Sequence, residues 1–110
     1  MAYVSGELRK IGEFGGNVGG SIWAYDTADA NATVYAAGYI TDAWAKGMQK
    51  GDVVHVRRWT TTIPVANSEV LSAAGVANIL LEYAIMPVIG ISTAGAADLA
   101  NGTLITMTNT

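Results

Sequence analysis

Charge is missing from one half of this chain. All six basic residues lie at or before Arg58, and residues 59–110 carry only Glu69, Glu82 and Asp98. A segment so poor in charge and rich in Ala, Val, Ile and Thr does not stay solvated as a tail, because disorder needs low hydrophobicity and high net charge. It has to fold. Over all 110 residues, 51% are hydrophobic and 14% charged, against roughly 25% charged in an average soluble domain. The length fits one domain. Six cations and a net charge of −3 argue against nucleic-acid binding, which needs clustered Lys and Arg to meet phosphates. A small globule with so little polar cover can lose some of its surface to neighbouring subunits.

With no cysteine, disulfides, thiolate metal sites and thiol nucleophiles are excluded. The opening MAYVSGELRKIGEF is interrupted by charges at Glu7, Arg9, Lys10 and Glu13 and does not read as a signal peptide. The most apolar stretch, residues 76–91, is broken by Asn78, Glu82 and Pro87 and is too short to span a bilayer. A soluble protein made in the cytoplasm, with no membrane partner, is expected.

The local pattern predicts a mainly β fold, a small sandwich or barrel-like domain with one or two short helices and an extended N-terminal arm. Residues 1–20 read as the arm and its glycine-rich loop, since GGNVGG lacks side chains for a packed element; residues 21–110 read as a single β-rich domain. A strand is expected at 22–25. A helix is expected over 26–37, capped by Asp26 or Thr27 and stopped by Gly38, followed by one more turn at 42–46 ending at Gly47. Lys50, Gly51 and Asp52 form a turn feeding the strand Val53 to Trp59. Residues 60–65 continue extended, with Pro64 as a limit. Residues 69–86 fit helix or strand, with strand favoured for 78–86; 88–92 and 103–108 read as short strands, and GAADLANG as the turn between them.

The residues that carry chemistry are few. His55 is the only histidine, short of a metal set and on a strand whose Val54 and Val56 point to the other face. Asp26 and Asp29 are read more simply as helix-terminal carboxylates than as a hydrolytic pair. GGNVGG lacks the ending of a P-loop and the order of a dinucleotide fingerprint. No catalytic residue, cofactor or metal site is expected. Arg57, Arg58 and Trp59 concentrate cations and an aromatic ring, which suits contact with an acidic partner surface as well as it suits a solvated strand end. Trp23 and Trp44 read as core or subunit-contact residues.

The run Trp23, Tyr25, Thr27, Asp29, Ala32, Thr33, Val34, Gly38, Tyr39, Asp42, Ala43, Gly47, Met48, Gly51, Asp52, Val54 resembles a module carried by proteins of tailed-bacteriophage structural gene clusters. The match covers residues 23–54, about a third of the chain, and the closing GISTAGAADLANGTLITMTNT looks like the same group's ending. The resemblance implies a virion structural protein. At this size it implies a capsid decoration or cement protein that binds the major capsid protein shell and bridges capsomers, often as a homotrimer; a tail- or fibre-associated receptor- or glycan-binding module is the alternative. On that reading the N-terminal arm, with Tyr3, Leu8, Ile11 and Phe14, reaches a neighbour by strand addition and meets the shell together with the Trp- and Arg-bearing first half. The charge-poor second half then supplies much of the core and the self-association surface.

Overall fold

The computed structural model describes residues 3–15, 19–59 and 80–105. A single 3-10 turn, Ser5–Glu7, leads into β1 (Leu8–Glu13); β2 (Ser21–Thr27), α1 (Asn31–Val34), α2 (Ala43–Lys46), β3 (Val53–Trp59), β4 (Leu80–Ile91), β5 (Ala97–Leu99) and β6 (Thr103–Ile105) follow. The domain is mainly β with two short helices, as expected, and its strands form one mixed six-stranded sheet ordered β1-β2-β3-β4-β5, with β6 also paired to β4. No helix among the described residues is long and apolar enough to cross a membrane.

Alternation decides which side of the sheet is buried. Partners across a ladder point the same way. The register Leu8↔Tyr25↔Val56↔Ala84 and Trp23↔Val54↔Met86 therefore puts all seven on one face, and all seven are buried. The parallel pairing of β2 and β3 requires a crossover. That crossover carries α1 and α2 and contributes Val34, Ile40, Ala43 and Met48 to the same apolar cluster. The opposite face holds Ala24, Asp26, His55, Arg57, Tyr83 and Ile85.

Several expectations change. The arm over residues 1–20 is, in its described part, no free arm: β1 pairs antiparallel with β2, and Leu8 is buried against the core. The helix expected over 26–37 shrinks to Asn31–Val34 because Asp26 and Thr27 are still strand residues paired with Arg57 and Arg58. Thr27 Oγ1 accepts the Asp29 N–H at 2.9 Å and turns the chain, and α1 then starts at an extended Ala30 with no side-chain cap. Gly47, at φ 95, ends α2 as expected. Among the described residues both halves supply the core: nine buried apolar residues, from Leu8 to Val56, precede Arg58, and Ala84, Met86, Val88, Ala97 and Leu99 join them from beyond it. The extended stretch at 60–65, the first part of 69–86 and the end of 103–108 lie outside the described residues.

Two expected strands are one. β4 runs through Pro87, and the hydrogen bonds show why the ring is tolerated. The Val88 N–H donates to Asp52 O at 2.7 Å on the β3 side, whereas Pro87 O accepts the Ala100 N–H at 2.8 Å on the other side. The donor that Pro87 lacks therefore points between β6, which pairs with Tyr83 to Ile85, and β5, which pairs with Val88 to Ile91, so the loss costs no ladder bond. The expected turn GAADLANG contains a strand of its own, since β5 folds back on β4 at Ala97–Leu99.

Gly102 fixes where β6 begins. Its φ is +76, and a Cβ there would sit 2.7 Å from Met86 Cγ and 2.9 Å from Ile85 O. Gly102→Ala combines left-handed strain with a clash against backbone, at a cost of about 2–4 kcal/mol. Urea denaturation should show this as a lowered midpoint; an unchanged midpoint would mean that β6 does not lie against β4.

Candidate functional site

On the face away from the crossover, β1, β2 and β3 place Arg9, Asp26 and Arg57 side by side, and Trp59 closes the group. The Asp26 side chain is 2% exposed. Arg57 grips it with Nε on Oδ1 at 2.6 Å and Nη2 on Oδ2 at 3.0 Å; Arg9 Nη2 also donates to Oδ2, and Trp59 Nε1 donates to Oδ1 at 3.1 Å. The Arg57 guanidinium carbon lies 5.6 Å from the centre of the Trp59 ring, so one cation serves both carboxylate and aromatic face. Burial pushes the Asp26 carboxyl up, but the bonds from Arg57, Arg9 and Trp59 together outweigh it and hold the group below the ordinary carboxylate range. A carboxylate surrounded by such donors is a strand clamp and a poor proton acceptor.

Asp52 clamps the other end of the same strands. Its carboxylate accepts the Ser21 and Gln49 backbone N–H groups at 3.0 Å each and the Trp23 indole N–H at 2.9 Å. Asp29 accepts the Tyr39 hydroxyl at 2.6 Å, and Tyr39 shares a 2.8 Å bond with Tyr25, whose hydroxyl also accepts the Val4 N–H at 3.1 Å. Burial, then the bond to Asp29, raises the Tyr39 phenol far above its usual range. Asp26 and Asp29 therefore serve separate networks, and His55 bonds through Nδ1 to the Tyr83 hydroxyl at 2.9 Å. Among the described residues no three His, Asp or Glu side chains converge as a ligand set.

The residues predicted for contact divide into two groups. Leu8 and Trp23 are core, not surface, because both lie on the buried side of the sheet. Tyr3 stacks beside Tyr25 and Tyr39 and donates to Asp42 Oδ1 at 2.5 Å. Arg57 and Trp59 are tied to Asp26, and Arg58 pairs with Glu82 at 2.7 Å, so this cluster meets acids of its own chain. Ile11, Phe14 and Trp44 do reach solvent. Trp44 is 64% exposed, its backbone N–H held by Gly95 O at 3.0 Å, beside an open groove of about 240 Å³ with Ile91, Ser92 and Thr93. A larger groove of about 470 Å³ lies between Phe14, Gly20, Gln49, Lys50 and Gly51. Ile89, Leu104 and Ile105 are further exposed apolar residues that the sequence reading did not single out. Strand alternation alone could not find them, since it gives a face and not what covers that face.

Comparison with known proteins finds no matching family model, curated protein or solved structure.

Asp26→Asn keeps size and an acceptor but removes the charge. Both arginines reach solvent, so the cost at pH 7 is about 1–3 kcal/mol, below that of breaking a fully buried pair. The folded carboxyl titrates below its ordinary 3.8, so the wild-type advantage is fully present above that pH and disappears as pH falls through the folded value. Denaturation midpoints of both proteins from pH 7 to pH 2 should converge only at the acid end; a gap independent of pH would show that Asp26 is not ionised in the fold.

Proposed function

We propose that this chain is a structural virion protein of a tailed phage, a decoration or cement protein that binds the outer shell and bridges neighbouring capsomers. One observation carries the reading: the buried carboxylates of Asp26, Asp29 and Asp52 are engaged by donors of the chain itself, while large apolar side chains, Trp44 foremost, face solvent. Groups arranged that way hold strands together and leave an adhesive exterior. The resemblance over residues 23–54 supplies the class of partner, the major capsid protein, and many copies acting on one shell make modest single-site affinity sufficient.

The contact is centred on Trp44. Of the three tryptophans, Trp23 and Trp59 donate their indole N–H to Asp52 and Asp26, whereas Trp44 presents an open ring. Aromatic anchors of this kind dominate interface energetics. The same exposed ring beside the Ser92 and Thr93 hydroxyls favours a second reading, a glycan-stacking module of a tail or fibre.

Purified protein added to expanded shells that lack it should bind and raise their rupture temperature. Trp44→Ala should weaken that binding roughly tenfold to thirtyfold, the loss of one hot spot, with unchanged thermal unfolding. No binding to any shell would overturn the decoration reading, and retention on glycans through Trp44 would establish the second.

A further inference from the structure

β5 and β6 run in one direction along β4, and one residue too many lies between them. Val88 pairs with Leu99, and the Ala100 N–H donates to Pro87 O at 2.8 Å, so an unbroken ladder would set Gly102 opposite Ile85. Thr103 stands there instead. The surplus residue is taken up at Asn101 and Gly102, a bulge in which the glycine adopts φ +76, so close to β4 that a Cβ would meet Ile85 O at 2.9 Å. The missing side chain also leaves the Gly102 nitrogen open to approach. Asn101 beside it is exposed, and neither residue belongs to a helix or strand. Of the six asparagines in the chain, only Asn101 precedes a glycine. Asn31, the other described asparagine, is its opposite: it opens α1, both polar atoms of its carboxamide are buried, and Ala32 follows it with a side chain and a helical backbone.

We propose that Asn101 is a site of spontaneous modification: its carboxamide closes on the Gly102 nitrogen, and the isoaspartyl product lengthens the bulge and unseats β6. The chemistry needs only base and water. The Gly102 amide nitrogen gives up its proton and attacks Asn101 Cγ; a C–N bond forms, the Cγ–Nδ2 bond breaks, and ammonia leaves with a proton. Water then opens the five-membered succinimide. Attack at Cγ restores the ordinary backbone as aspartate, whereas attack at the main-chain carbonyl routes the chain through Cγ and adds one methylene to it. Both products place a carboxylate within residues 99–110, which otherwise contain no charged side chain. Only the second lengthens the path between the Ala100 anchor on Pro87 and the Thr103 pair with Ile85. That path already holds a surplus residue, and Gly102 has no room to move toward β4. The glycine that the bulge requires is thus the residue that leaves Asn101 labile. The site concerns the chain alone and does not rest on the shell reading.

The full chain, held in mildly alkaline buffer made with heavy-oxygen water, should gain isoaspartate and aspartate at residue 101, each carrying one solvent oxygen, at a rate that rises with pH. Peptide mapping should find the change at Asn101 faster than at Asn31 by roughly tenfold or more. Asn101→Gln, whose ring would need six members, should fold as before and stay unmodified at this position. The isoaspartyl fraction, separated by chromatography, should unfold at a lower urea concentration than Asn101→Asp, which carries the charge without the longer backbone. Asparagine retained at residue 101, a rate no greater than at Asn31, or an isoaspartyl fraction with the same midpoint as Asn101→Asp would overturn the proposal.

Discussion

A parallel strand pair has no hairpin to set its register, and here that task falls to Asp52. The side chain, 1% exposed, bonds the first residue of β2 through the Ser21 N–H, the third through the Trp23 indole and the preceding turn through the Gln49 N–H. Its own carbonyl accepts the Val88 N–H, which brings β4 to the same point. A slip of one residue between β2 and β3 would break this set and turn Trp23 and Tyr25 outward while pressing Ala24 and Asp26 into the core. One carboxylate thus selects which face of the sheet becomes interior. The packing of Val34, Ile40, Ala43 and Met48 from the crossover follows from that choice.

Asp26 does the complementary work on the other face. Its donors come from β1 and β3, so a single buried charge binds the edge strand to the centre. β1 needs this, because Leu8 is its one buried apolar side chain. Further polar contacts assist: Lys46 Nζ donates to Leu8 O at 3.3 Å, and Tyr3 and Ser5 both donate to Asp42. The N-terminal segment is held mainly by charge and hydrogen bonds, whereas the middle of the sheet adds extensive burial to the Asp52 clamp.

What could be read in the sequence follows the range of the interaction that decides each element. β3 was legible because a glycine-aspartate turn and a run of β-branched residues specify it locally; the turn ended by Gly47 was legible for the same reason. The helix after Asp26 was overextended because Asp26 and Thr27 carry sound local capping chemistry, which loses to ladder partners at Arg57 and Arg58 in a distant part of the chain. Pro87 looked like a strand break because only the placement of β5 and β6 shows that its missing donor falls in a gap. The Asp52 carboxylate read as turn punctuation, since its bond to the Trp23 indole spans 29 residues. Arg57 and Trp59 were legible as a cluster, while their target was not: in sequence a guanidinium looks the same whether it faces a partner's acid or a buried one of its own chain.

The charge asymmetry takes its meaning from these clamps. The first half needs its charges because it makes the edge strand and the parallel pair, the two parts of the sheet that local turns cannot set. The second half makes β4 with its antiparallel returns β5 and β6, where register comes from the backbone and from Gly102, and charge has no comparable duty. The consequence lies at the surface. Where charge holds the fold together it also guards the edge, as at β1; where the fold does without it, apolar side chains remain at the surface, as at Leu104 and Ile105 of β6.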